Sequence, residues 1–110
     1  MKQGEIWKVD LNPVIGSEQA GNRPVVIISG NMLNKYLNVV IVCPLTTKVK
    51  NYKGNPVLSP NVNNRLTKTS EILIFQIRSI SKERLKEKIG TIEPAEIEKI
   101  KTSLNDIMRY

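Results

Sequence analysis

Histidine is absent from this chain, and cysteine occurs once, as Cys43. The first absence removes the most common general base and metal ligand, and with it any Ser-His-Asp or Cys-His machinery. With one cysteine, scattered carboxylates and no EF-hand-like acidic loop, no ligand set for a metal stands out. A lone thiol forms no internal disulfide, which fits a reducing compartment. Cys43 sits within VVIVCPL and is expected to be a buried small hydrophobe. Aromatic residues are few: Trp7, Tyr36, Tyr52, Phe75 and Tyr110. No apolar run approaches the length of about 18 residues that reads as a membrane span. The opening MKQGEIWKVD lacks an apolar signal core, so a cytoplasmic protein is expected. Neither a Walker-type loop nor a dinucleotide fingerprint occurs, so most common enzyme classes lose their usual parts and no cofactor is expected.

Acidic residues are also missing from one long stretch. Between Leu45 and Ser70 there are five basic residues (Lys48, Lys50, Lys53, Arg65 and Lys68) and no carboxylate. From Ser81 onward the two signs nearly balance, so the net charge of +7 is concentrated mid-chain. A basic segment of this kind suits a polyanion-facing surface, with solubility alone as the plain alternative.

The length of 110 residues fits a single domain spanning 1–110. Short β-type runs fill the first four-fifths. EIWKVDL alternates, as a strand with one buried face does. PVVIIS and NVVIVCPL are continuous and β-branched, the pattern of strands covered on both faces. NPVLS reads as a short edge strand, EILIFQIRSI as the longest apolar strand, and KIGTI as the last. Gly90 inside it suggests a bulge or a close backbone approach. NMLNKYL is expected to make one or two helical turns, and SKERLKEK a short helical connector capped by Ser81. A clear helix is predicted after Glu93, with Pro94 at its first position and Glu96 at N3. Ile97, Ile100, Leu104, Ile107 and Met108 then form one apolar stripe, expected to pack on the core. Short strands, long loops and one terminal helix define a mainly β fold of the small-barrel kind.

What remains chemically is anion handling. In GSEQAGNRP, Arg23 follows a glycine-containing turn and is biased by Pro24 toward an extended backbone. A planar five-donor head on a fixed base suits a phosphate or a carboxylate. Thr46 and Thr47 end the strand at CPLTTK, just before the basic segment, so an arginine and hydroxyls at two strand ends can clamp one phosphodiester. The plain alternatives are an Arg23–Glu18 pair that holds the loop and a Thr46 side chain that caps its own turn. Gln76 and Arg78 lie two apart inside the apolar strand IFQIRSI, so they share a face, where they line a site or form a buried network.

GEIWKVDLNPVIGSEQAGNRPVVIIS, VCPLTTK and EILIFQIRSISKERL, in this order, resemble the MazF/PemK (Kid-like) toxins of bacterial toxin–antitoxin systems. The resemblance implies an SH3-like or CcdB-like β-barrel with a C-terminal helix, working as a homodimer. It implies a sequence-specific, ribosome-independent and metal-independent endoribonuclease. Such an enzyme cuts single-stranded mRNA through its own 2′-OH, leaving a cyclic phosphate and a 5′-OH. A cognate antitoxin is the implied protein partner. By position, the catalytic arginine and threonine fall on Arg23 and Thr46, with Glu18, Ser17, Gln19 and Gln76 in support. Thr47, Lys48, Lys50, Tyr52 and Lys53 are the expected RNA-binding residues. The competing readings are a gyrase poison of the CcdB type, which shares the fold without catalysis, and a degenerate RNA-binding domain.

Overall fold

The computed structural model describes residues 1–11 and 22–110, and among these it has seven strands and two α-helices. The strands are β1 (Glu5–Asp10), β2 (Asn22–Ile27), β3 (Val39–Thr46), β4 (Val57–Leu58), β5 (Ser70–Ile72), β6 (Arg78–Ser81) and β7 (Leu85–Thr91). The helices are α1 (Asn31–Tyr36) and α2 (Pro94–Arg109). Neighbouring strands pair antiparallel, in the order β4-β5-β3-β2-β1-β7. The long strand β3 is the hub. One edge pairs with β2, and the other pairs first with β6 and then with β5. The mainly β architecture with a C-terminal helix follows the expectation, and the curved sheet forms a half-barrel. No helix among the described residues is long and apolar enough to cross a membrane.

Period-two alternation sorts the side chains of β1, β2 and β3 onto two apolar layers. Ile6, Val26, Cys43 and Leu45 face one layer, together with Ile97 and Ile100 of α2. Val9, Val25, Ile27, Val40 and Val42 face the other, with Ile80 and Leu85. Two-sided burial is why PVVIIS and NVVIVCPL carry no alternation of polar residues. Cys43 is buried, and loss of hydration pushes its thiol pKa up to about 12. Because the thiolate is the reactive form, Cys43 is expected to resist a thiol reagent at pH 8 in the folded protein. It should react in full once the protein is denatured; rapid labelling of the native protein would contradict this burial.

Helix α2 starts where expected, with Pro94 first and the Glu93 N–H donating to Glu96 Oε1 at 2.8 Å. Its stripe is covered only over the first half. Ile97 and Ile100 are buried, whereas Ile107 and Met108 are exposed. Three other segments depart from or refine the sequence reading. The NMLNKYL helix is the six-residue α1. SKERLKEK is helical only as the 3-10 turn Lys82–Arg84, capped by the Ser81 hydroxyl, before β7 takes over. EILIFQIRSI is not one strand, because the 3-10 turn Ile74–Gln76 separates β5 from β6. That break removes the two-residue alternation expected of Gln76 and Arg78, and Arg78 instead pairs with Val42 in β6.

Gly90 satisfies both of its sequence expectations. The β1–β7 register shifts beside it, between Ile6 and Trp7. A Cβ at Gly90 would lie 2.4 Å from the Asn64 carbonyl oxygen and 2.5 Å from that of Asn63. The turn that presents those carbonyls is held by its own asparagines. Asn61 Oδ1 accepts from the Asn63 and Asn64 N–H groups, and Asn64 Oδ1 accepts from those of Asn61 and Leu66.

Candidate functional site

The end of β3 and the two segments beside it enclose a groove of about 370 Å³, lined by Thr46, Lys48, Lys50, Tyr52, Leu73, Phe75 and Gln76. Thr46 is the last residue of β3. Its Oγ1 accepts the Lys48 N–H at 3.1 Å, so the plain alternative of a turn-capping Thr46 is realised. A hydroxyl that accepts one bond still carries a proton to donate, and Thr46 remains at the groove wall. Gln76 arrives from the 3-10 turn, which curls it toward the same opening.

Arg23 lies on β2, opposite Val9 of β1. The β2–β3 ladder pairs Val25 with Pro44, Val26 with Cys43 and Ile27 with Val42. The ladder stops there, two residues short of Arg23 on β2 and of Thr46 on β3, and Arg23 is not among the residues that line the groove. By the alternation along each strand, Arg23 falls on the face of Val25 and Ile27 and Thr46 on the face of Val40 and Val42, the apolar layer opposite α2. Arg23 is half-buried, which limits the space its side chain sweeps. Thr47 and Lys53 are exposed on the same connection as the groove lysines but do not line the groove. Ser17, Glu18 and Gln19 lie outside the described residues.

Two groove features escaped the sequence reading. Phe75 is exposed, and its ring stands edge-on to Tyr52, with centroids 5.5 Å apart and planes at 89°. This pair gives one wall of the basic groove an aromatic surface. The second feature is Glu71, fully buried although it follows a long polar stretch rich in lysine and asparagine. Its Oε1 accepts the backbone N–H groups of Lys50 at 2.8 Å and Asn51 at 3.0 Å. Its Oε2 accepts the Tyr52 N–H and Asn55 Nδ2, each at 3.0 Å. Burial alone raises a carboxyl pKa, but the Asn55 amide and the three backbone donors outweigh it, and Glu71 sits below its ordinary value. The carboxylate therefore stays ionised through the neutral range. Among the described residues, no group of three His, Cys, Asp or Glu side chains is placed to hold a metal.

A half-barrel with a basic, hydroxyl-bearing and aromatic groove at a strand end defines a small, mainly β domain with a C-terminal helix. Comparison with known proteins narrows the class. The profile of the PemK-like, MazF-like toxins of type II toxin–antitoxin systems matches residues 2–108, and the chain belongs to that family. The chain is 38% identical over 106 residues to the endoribonuclease MazF of Staphylococcus saprophyticus, a match that covers 96% of this chain and 88% of that protein. Among solved structures, MazF from Deinococcus radiodurans superposes with a TM-score of 0.85 at 22% identity, covering 100% of this chain and 97% of that one. A mycobacterial endoribonuclease in complex with its cognate antitoxin gives a TM-score of 0.75 at 23% identity, covering 99% and 93%. At those identities the two structures establish the fold.

Proposed function

We propose that this chain cuts single-stranded mRNA at a specific sequence, without ribosomes or metal, by directing the RNA's own 2′-OH onto the adjacent phosphate. It is a MazF-like toxin of a toxin–antitoxin system and an endoribonuclease. The observation that supports the finer reading is the convergence of Thr46, Lys48, Lys50, Tyr52 and Gln76 on one groove at the end of β3, the strand that pairs with the Arg23-bearing β2. We read residues 1–110 as one toxin domain that works in the cytoplasm as a homodimer. A cognate antitoxin would be its partner, as the mycobacterial relative has one.

In this reaction the 2′-oxygen forms a bond to phosphorus while the bond to the 5′-oxygen breaks. The products are a 2′,3′-cyclic phosphate and a 5′-OH. One proton leaves the 2′-OH, and one is delivered to the 5′-oxygen. Between these events the phosphorane carries extra negative charge. Arg23 supplies fixed N–H donors to it, and Thr46 supplies an O–H donor. Donors already aimed at developing charge need no reorganisation when it appears. Arginine stays protonated in proteins, so Arg23 stabilises charge rather than acting as the base. Glu18 or a water takes the proton from the 2′-OH, with Ser17 and Gln19 beside Glu18 in the chain and Gln76 supporting the site from the groove. Lys48, Lys50, Lys53 and Thr47 hold the RNA backbone, and Tyr52 with Phe75 offers a stacking surface to an unpaired base.

The test is incubation of the purified protein with a long, unstructured RNA in EDTA and without ribosomes. Cuts at one short recurring motif are expected. Intact RNA in the presence of folded protein would overturn the reading. Lys50→Ala is expected to flatten the salt dependence of RNA binding, with the log–log slope falling in magnitude by about 0.7 for one lost phosphate contact. An unchanged slope would remove Lys50 from the backbone track.

A further inference from the structure

We propose that Glu71 is the positioning residue of the RNA groove, its buried carboxylate fixing the loop of residues 50–55 so that Lys50 and Tyr52 stand ready for RNA before it binds. This rests on the endoribonuclease reading and adds to it a residue that touches no RNA. Three successive backbone N–H groups, those of Lys50, Asn51 and Tyr52, point at one carboxylate. Convergence of this kind requires a tight curl, and Asn51 supplies it with a left-handed φ of 54°, a conformation that asparagine tolerates better than most residues. The fourth donor, Asn55 Nδ2, closes the loop at its far end. Asn55 Oδ1 then accepts the Ile74 N–H at 3.1 Å, at the start of the 3-10 turn that carries Phe75 and Gln76. Glu71 itself lies on β5, paired with Thr46 at the end of β3. One carboxylate thus ties together the lysine-bearing wall, the aromatic wall and the strand end that holds Thr46.

The energetic logic is preorganisation. A segment as polar as VKNYKGN has little apolar surface to bury and would sample many conformations without a clamp. Ordering it at the moment of binding would cost affinity, and ordering it beforehand removes that cost. The donors are neutral amides rather than lysine or arginine heads, so the anchor leaves the nearby cationic groups for the substrate.

The test is Glu71→Gln. A glutamine keeps the size but has one acceptor oxygen, and its own NH₂ would face N–H donors. At least two of the four bonds are lost. Steady-state cleavage of the same RNA is measured for wild type and variant, alongside far-UV circular dichroism and backbone amide exchange at residues 50–52. The expected result is a KM raised about tenfold, the equivalent of about 1.4 kcal/mol of binding. The kcat should stay within about twofold, with faster exchange at those amides and a native spectrum. A purely structural role would instead lower the active fraction, and so the apparent kcat, with KM unchanged. An unchanged KM in a folded variant refutes the proposal. Should Glu71→Gln fail to fold, Asn55→Ala keeps the carboxylate but cuts its link to the 3-10 turn. That variant is expected to raise KM several-fold, and an unchanged KM again refutes the proposal. A wild type that cuts no RNA overturns the underlying endoribonuclease reading, whereas a cutting wild type with an indifferent Glu71→Gln variant overturns the positioning role alone.

Discussion

Replacing Arg23 with alanine is expected to slow RNA cleavage by roughly 100- to 1000-fold, the usual cost of removing one preorganised donor from developing charge. The fold should survive. Arg23 lies near the start of β2 and next to Pro24, and the apolar residues that anchor this strand, Val25, Val26 and Ile27, are untouched. The loss should appear in kcat more than in KM, because the extra charge exists only in the transition state. Lysine is expected to restore little of the rate, since a point charge on a flexible stem does not reproduce a planar fork of donors. Thr46→Ala should fall in the same direction by a smaller factor, because a neutral hydroxyl is a weaker partner for charge than a guanidinium. The check is a single-turnover cleavage assay on variants whose melting temperatures match wild type. A rate within a few-fold of wild type for Arg23→Ala would remove that residue from the scissile phosphate.

The second large effect concerns stability. Gly90→Ala is expected to destabilise the fold by about 1–3 kcal/mol, the ordinary range for forcing an extra carbon into a filled space. In thermal unfolding that is a drop in Tm on the order of 5–15 °C for a domain of this size. The cause is contact rather than backbone conformation. The added Cβ would press on the carbonyls of Asn63 and Asn64, and those carbonyls cannot retreat freely. Their turn is braced by its asparagine side chains, and the Asn63 oxygen also accepts the Thr91 N–H at 2.9 Å. Gly30→Ala is the matched control, because a Cβ at that position would meet nothing within 4 Å and the φ of −66° there suits any residue. It should shift stability by less than about 1 kcal/mol, from the loss of the glycine N-cap of the short helix α1. Equal Tm changes at Gly90 and Gly30 would contradict the close approach.

Gly90 also marks where sequence and structure agree most readily. It breaks an apolar strand pattern, and a bulge or a crowded backbone explains a glycine there. The double-sided strands β2 and β3 announce themselves by unbroken β-branched runs, and α2 by Pro94 and the Glu93–Glu96 arrangement. Arg23 and Thr46 were legible as candidates because both sit at strand ends next to sharp changes in composition. The remainder was hidden for physical reasons. EILIFQIRSI contains no glycine or proline, so nothing local signals the 3-10 turn at Ile74–Gln76. Tertiary contacts impose it, including the Asn55 side chain on the Ile74 N–H. Phe75, apolar in an apolar run, reads as core, yet the turn leaves it exposed beside Tyr52. Glu71 reads as a solvated charge at the head of a strand. Its backbone partners lie 19 to 21 residues earlier in the chain, a separation that no periodicity exposes. Exposure of Ile107 and Met108 is likewise invisible in a stripe whose spacing continues unchanged to the end of α2.

The measurement that bears most directly on the central claim is the chemistry of the fragment ends. RNA cut by the wild-type protein would be labelled with polynucleotide kinase, without prior phosphatase, and its 3′ ends examined by mass spectrometry before and after mild acid. Attack by the 2′-OH predicts 5′ ends that accept label at once and 3′ ends that carry a 2′,3′-cyclic phosphate, opened by acid. Fragments with 5′-phosphates and free 3′-hydroxyls would mean that water attacked the phosphorus with the 3′-oxygen as leaving group. In that case Arg23 on β2 and the groove of Thr46, Lys48 and Lys50 would not be performing the reaction assigned to them.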